Sequence, residues 1–389
     1  MKMCQLKQIA AVLILFLTAS CSSPLSSIPS STEIPLPSPH HTGSEDTGRE
    51  QAAQVAFVSD RRQRGNLDIW LFDLTTEQMA LLTSDDWQDV KPAWSPDGQT
   101  LAFLSFRIGG PSSIRAIDLS DRTVRTLVTP ERYAPVTDFV WSGDGESIFY
   151  TTYDGQTFES QIWQLDLQTG DRQYITNAES PISVSTDSQY LGISIRKPEW
   201  LNHAVFRVLR LSDNTELQPT EEHFHPSGQA WAPQGDTLAV VSGTGPPQLG
   251  QIAIYRVSEG EIYRQAVEFV PPEPRTSLCD LAWSPDGQRI LIIRALIVAN
   301  VCQGELLLYD ADLVHHQVLP LEGLVGYARW SEDGNWIAYG KNDTLHIYQY
   351  STGVQKQASG EIWIVESTGL NARPLITGPA YNGQPAWRP

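Results

Sequence analysis

The stretch Trp94-Ser-Pro-Asp-Gly98 recurs along this chain of 389 residues. It returns as WSGDG at Trp141–Gly145, VSTDS at Val184–Ser188, WAPQG at Trp231–Gly235 and WSPDG at Trp283–Gly287. WSEDG follows at Trp330–Gly334, and WRP at Trp387–Pro389. The Trp-equivalent positions are spaced by 47, 43, 47, 52, 47 and 57 residues. Within the phrase, Pro fixes φ at the second turn position, Asp can bond its own turn backbone, and Gly tolerates the left-handed conformation. The phrase reads as a tight turn between two strands. The Trp before it reads as a wedge between neighbouring sheets.

Each turn is followed by an apolar run, such as Leu101-Ala-Phe-Leu or Ile290-Leu-Ile-Ile. An alternating run comes next, as in DIWLFDL at Asp68–Leu74, QIWQLDL at Gln161–Leu167 or EIWIVE at Glu361–Glu366. A further strand then closes on Leu-Thr or a similar pair. Alternation of period two bounded by Gly, Pro and Asp marks strands. Beyond residue 50 no stretch carries a 3.6-residue period. Four strands in a repeat of this length predict an all-β fold, a seven-bladed β-propeller of four-stranded blades. The N-terminal blade begins near Gln54 without a first strand, and Pro385–Pro389 is a first strand with no blade after it. The C-terminal strand is therefore expected to complete the N-terminal blade and close the ring. Thr344–Tyr350 reads as an inserted strand and not as an eighth blade, since no Trp phrase precedes it.

Three regions follow. Met1–Ser20 has Lys2 and Lys7 ahead of the apolar run Ile9–Leu17, which is too short to span a membrane. Thr18-Ala-Ser-Cys21 resembles a bacterial lipobox, which makes Cys21 the lipidated residue and residues 1–20 a lipoprotein signal peptide; an ordinary cleaved signal is the other reading. Residues 21–51 read as the lipidated Cys and a flexible Ser/Pro-rich tether. Residues 52–389 form the propeller.

The net charge is −18, and loss of Lys2 and Lys7 takes it to −20. Such a chain is not expected to bind nucleic acid through a basic face. Cys279, four residues before Trp283, and Cys302, in the loop after the second strand of the same blade, fall on one face of that blade. In an oxidising compartment they are disulfide candidates, with two buried thiols as the alternative.

The run of WSPDG, an apolar strand, xIWxxDL and a closing Leu-Thr resembles the TolB-type, or WD-like, propeller repeat of bacterial envelope proteins over Val55–Pro389. The resemblance implies the fold more than any activity. TolB proper has an α/β domain before its propeller, and this sequence has a short tether there, so the reading is a lipoprotein with a TolB-like propeller. Similar propellers accompany α/β-hydrolase domains in prolyl-oligopeptidase-like peptidases, which need a G-x-S-x-G elbow that this sequence lacks. Others belong to metal-dependent oligogalacturonate lyases, whose sites use several histidines.

His223 and His225 alternate beside Glu221 and Glu222, so their rings could face one way and hold a metal. In the loop before Trp231 they read instead as a solvated polar segment, and no metal or other cofactor is expected. Asp85, Asp86 and Asp89 lack the spacing of a calcium loop and read as a turn. No catalytic residue is identified, and the chain is expected not to be an enzyme. The loops opposite the Trp turns carry Trp87, Tyr133, Tyr153, Trp200, Tyr327 and Tyr381, and a hairpin carries Arg61 and Arg62. These are the binding-face candidates, because interfaces use aromatics and Arg on loops held by a rigid scaffold.

The expected protein is a monomeric, exported binding module, lipid-anchored on the extracytoplasmic side of a bacterial membrane and engaging a protein partner in the cell envelope. A carbohydrate-binding or metal-dependent lyase-like propeller is the alternative. Peptide mass mapping after alkylation without reduction is expected to find Cys279 and Cys302 unalkylated; alkylation of both would remove the bridge.

Overall fold

The computed structural model describes residues 53–107, 110–129, 134–157, 159–197, 203–219, 226–242, 250–258, 260–270, 276–296, 303–342 and 360–389. The expected signal peptide, Cys21, the tether and the inserted strand Thr344–Tyr350 lie outside them. Among the described residues the regular elements are all β-strands, and no helix occurs.

The strands group into antiparallel sheets that follow the repeat. The first sheet has the order Asn382–Trp387, Gln54–Gln63, Asn66–Asp73, Gln78–Leu81. Four more four-stranded sheets occupy residues 88–128, 136–177, 179–217 and 226–270. Residues 276–318 and 324–376 supply four strands each, and the pairing of Gly304 with Val325 joins these into one eight-stranded sheet. In this sense the expected arrangement of four-stranded sheets is present, with one continuous sheet where two separate ones were expected. Val55 pairs with Trp387 and Ser59 with Asn382, so the last strand completes the first sheet.

The innermost strands touch one another in sequence. Asn382–Trp387 lies against Gln88–Trp94, which contacts Val136–Trp141; next come Glu179–Val184, Pro226–Trp231, Thr276–Trp283 and Leu324–Trp330. Leu324–Trp330 in turn contacts Asn382–Trp387. The apolar core fills the gaps between sheets. Leu101, Phe103, Ile114 and Ile117, for example, pack with Leu71 and Leu82 on one side and Ile148 and Tyr150 on the other.

Each wedge Trp has a second task. Its Nε1–H donates to the carbonyl of the residue just before the Trp-equivalent in the preceding sheet. Trp94 reaches Ala386 at 3.1 Å, Trp141 reaches Ala93 at 3.1 Å and Trp231 reaches Ser183 at 3.3 Å. Trp283 reaches Ala230 at 2.9 Å, Trp330 reaches Ala282 at 3.2 Å and Trp387 reaches Arg329 at 3.1 Å. The turn takes the expected form: Ser95 Oγ lies 2.6 Å from Asp97 Oδ1, which accepts from Gln99 N at 3.0 Å, and Gly98 has φ 66°.

The bond and the wedge can be separated. Trp283→Phe keeps most of the packing and loses the bond to Ala230, and is expected to cost about 1 kcal/mol. Trp283→Ala also opens a cavity and is expected to cost about 3–5 kcal/mol. Denaturant unfolding of both variants measures the difference; equal losses would deny the indole its packing role.

Candidate functional site

The innermost strands are not regular. In all seven, the ladder to the second strand slips a few residues before the Trp position. Examples are the slips between Val90 and Ala93, Val136 and Asp138, Cys279 and Leu281, and Gly326 and Arg329. An extra residue on one strand bends it and re-aims a side chain. Lys91, Asp280, Tyr327 and Gln384 stand at the same repeat position, three before the Trp, with φ of 56°, 45°, 56° and 52°. A left-handed conformation in a non-glycine residue is strained and marks a site the surroundings enforce.

Three of these kinked residues, Lys91, Tyr327 and Gln384, line a cavity of about 1210 Å³. Val90, Leu104, Phe106, Val136, Pro385 and Trp387 give it apolar walls. A polar collar sits among them. Lys91 Nζ pairs with Asp138 Oδ1, and Lys91 N donates to Gln384 Oε1 at 2.6 Å. Gln384 also hydrogen-bonds Tyr327. Arg329 Nη1 donates to Asp280 Oδ2 at 2.8 Å. Enclosure strips water from the Lys91 ammonium and Arg329 repels it, pulling its pKa down to about 8, while Asp280 opposes the fall. The contact with Asp138 favours the charged form, so Lys91 is a cation at neutral pH. Enclosure raises the Tyr327 phenol above its usual range, which keeps it a hydroxyl donor. The collar thus offers fixed donors and acceptors inside an apolar wall, the usual composition of a binding site.

Of the sequence candidates, Tyr327 belongs to this collar and is 36% exposed. Tyr153 is half-buried beside it, its N donating at 3.1 Å to the carbonyl of Pro135, a wall residue. Trp87 stands in the loop between the first two sheets, its ring between the Arg107 and Arg115 guanidinium groups at 5.1 and 5.8 Å. Tyr381 is not a face residue. It is 4% exposed, its N donates to Asp60 Oδ1 at 2.8 Å, and its ring fills the space that a side chain at Gly383 would need. Arg62 is committed internally, to the buried Asp68 at 2.8 Å and to Asp85 O at 2.7 Å. Arg61 donates to Asn382 Oδ1 at 2.7 Å and stacks on Phe57 and Trp70. Tyr133, Trp200, His223, His225 and Cys302 lie outside the described residues. Cys279 is disulfide-bonded. Among the described residues no group of three His, Cys, Asp or Glu side chains could hold a metal ion.

The collar residues other than Tyr327 escaped the sequence reading. Their signal is present in VKPAW, TDFVW, CDLAW, GYARW and GQPAW, where a polar residue, a Tyr or a Gln interrupts an apolar strand three places before the Trp in the first, second, third, fourth and fifth of these.

Residues 49–179 match the family model described as the TolB beta propeller domain. The TolB-type repeat read from the sequence is therefore present. The Tol-Pal system protein TolB of Anaeromyxobacter sp. (strain K) is 30% identical over 115 residues, covering 30% of this chain and 25% of that protein. The uncharacterized peptidase YuxL of Bacillus subtilis (strain 168) is 32% identical over 109 residues, covering 28% of this chain and 16% of the relative. Among solved structures, the Pseudomonas aeruginosa periplasmic gluconolactonase PpgL superposes with a TM-score of 0.58 at 11% identity, covering 87% of this chain and 99% of that one. The last likeness shows the fold alone. The chain spans a quarter or less of the length of these curated relatives.

The expectation that the chain is not an enzyme is overturned by these matches, because its relatives include peptidases. The reason for the error is physical. The repeat consists of wedge and turn residues that carry no nucleophile, so it is shared by enzymes and binding proteins alike and excludes neither.

One acid beside the Trp87 loop titrates far from the ordinary range. Asp89 is 0% exposed. Burial pushes its carboxyl up to about 7, against a 2.5 Å bond from Ser105 Oγ and the nearby Arg115 cation. The folded chain holds this proton to higher pH than the unfolded chain does. Stability contributed by the neutral acid is therefore present at low pH and lost as pH rises from about 4 to about 7, on the order of 4 kcal/mol in all. Asp89→Asn is expected to remove that slope. Denaturant unfolding of both proteins between pH 4 and 8 measures it, and parallel profiles would mean that Asp89 ionises normally.

Proposed function

We propose that this protein is a membrane-anchored, extracytoplasmic binding module that takes a segment of an envelope protein into the mouth of its central channel. The observation that carries the reading is the cavity of about 1210 Å³, walled by apolar side chains and lined by Lys91, Tyr327, Arg329 and Gln384, with Asp138 paired to Lys91 and Asp280 to Arg329. An extended segment suits it: side chains bury against Val90, Phe106 and Val136, and its backbone meets the collar. Most of the wall residues lie on strands, so little ordering is needed on binding, and preorganisation of this kind favours affinity.

The reading includes a closed ring of seven four-stranded blades. The pairing of Asn382–Trp387 with Gln54–Gln63 and the unbroken succession of touching innermost strands support it. It also includes lipidation at Cys21, a tether over Ser22–Gln51 and a monomeric state. A flexible tether of that length has a reach of about 30 Å, which would confine the module near the membrane and raise its effective concentration for a neighbour there. The match to TolB, a protein named for the Tol-Pal system, supports the envelope setting. The bridge between Cys279 and Cys302 belongs to the same proposal and fits an oxidising compartment.

The test is site-specific photocrosslinking of the full-length protein in its native membranes. A photoreactive residue at Thr137, on the channel wall, is expected to capture one discrete protein, and Tyr327→Ala is expected to reduce that adduct at least about tenfold. A photoreactive residue at Tyr174, on an outer strand, serves as the comparison. Adducts from position 174 alone would move the binding surface off the channel.

A further inference from the structure

Arg107 is an exposed cation in an acidic protein, and its surroundings are unusual. Most of the arginines stacked on aromatic rings are already engaged. Arg115 donates to Asp85 Oδ2 at 2.6 Å, Arg289 to Ser367 O at 2.8 Å and Arg388 to Gly98 O at 2.7 Å. The Arg107 guanidinium lies 5.1 Å from the Trp87 ring centroid, and among the described residues no carboxylate or carbonyl accepts from it.

Its position is fixed from several sides. Trp87 N donates to Asp85 Oδ1 at 3.0 Å, and Arg115 covers the same indole at 5.8 Å. Arg115 is itself anchored by Asp85 and lies 3.3 Å from Ser105 Oγ. Gly110 N donates to Arg107 O at 2.8 Å, just past the strand Thr100–Phe106. Phe106 and Gly110, before and after Arg107 in the chain, line the channel cavity. Arg107 therefore sits between two residues that line the cavity, with indole against its guanidinium and, among the described residues, no acceptor at its N–H edge. A stacked guanidinium keeps its planar fork of donors, and the partner that fork fits is a carboxylate taken in bidentate fashion. Stacking also removes much of the rotamer entropy such a bond would otherwise cost.

We infer that Arg107, held by Trp87, reads an acidic side chain on the protein segment that enters the channel. The inference rests on the binding reading above and adds a sequence preference to it: an Asp or Glu next to the apolar stretch that the channel buries. Arg115 positions Trp87 and does not contact the ligand. The net charge of −18 opposes an acidic partner at long range. The preference is therefore a contact effect, felt by one residue of the segment and not by its overall charge.

The test selects a displayed library of random ten-residue peptides on the full-length protein. Wild type is expected to enrich peptides with Asp or Glu at one fixed distance from an apolar pair. Changing that acid to its amide in a selected peptide is expected to weaken binding about tenfold to wild type and not at all to Arg107→Gln. Arg107→Glu is expected to select Lys or Arg at the same place. Arg373→Ala is the control, since Arg373 stacks on Trp336 at 5.5 Å beside the turn that opens on Trp330. Peptides that bind, depend on Tyr327 and show no acidic position would overturn the inference and leave the channel reading standing. Enrichment of no peptide by wild type would overturn both.

Discussion

The indole N–H to carbonyl bond between successive sheets is the interaction on which the rest of this molecule depends. Each Trp fills the gap to the preceding sheet and ties its indole to the carbonyl just before the Trp-equivalent there. The spacing of the repeats varies from 43 to 57 residues, yet the bonded positions keep step because the variation is absorbed in loops. Val184 has no donor to offer Val140, and at that seam the turns are in contact, as they are at the next seam, where Thr186 Oγ1 donates to Pro233 O. A side chain on Gly143 would put its Cβ 1.9 Å from Thr186 O, and Asp144 N reaches Ser188 Oγ at 3.3 Å. The Gly in WSGDG is thus required by the backbone of Thr186 in the neighbouring turn.

With the sheets locked at their Trp positions, the slips just upstream re-aim side chains, and those at Lys91, Tyr327 and Gln384 line one cavity. A residue in left-handed conformation on an otherwise extended strand loses its ladder bond and turns its side chain away from the sheet. Repeated around the molecule, this arrangement puts side chains from separate repeats within bonding distance, as Lys91 N meets Gln384 Oε1 across 293 positions of sequence. Within this chain the wedge and the turn recur, while the residue three places before the wedge changes from Lys91 to Asp138, Asp280, Tyr327 and Gln384.

What could be read from the sequence follows from the range of each interaction. The turn and the strand alternation are local, so Ser95, Asp97 and Gly98 announce their geometry by themselves. The collar was legible only in part, because Tyr327 looks like an interface residue alone but Lys91 and Asp138 acquire meaning only together. Tyr381 misled because aromatic content in a loop resembles a contact surface. Its burial depends on Asp60 and on the space above Gly383, neither of which the local sequence reveals. Arg62 looked free for a similar reason, since Asp68 lies across a hairpin whose inward face is not marked by any repeat residue. The division between enzyme and binder was not legible at all, because no part of the repeat bears on it.

The first sheet has a consequence for the life of the nascent chain. Residues 54–81 contain three of its four strands, and the fourth arrives only with Asn382–Trp387. The entropy of closing so long a loop grows slowly with its length, so the delay does not cost the finished fold much. It does leave Val55–Ser59 as an unpaired apolar edge throughout synthesis, open to any passing strand. The strand runs directly into Arg61, Arg62 and Arg64, and three charges beside an apolar edge are what discourage a foreign strand from adding there. The hairpin that looked like a patch for a partner thus carries the kind of charge that guards an exposed strand edge until the chain's own strand takes the place.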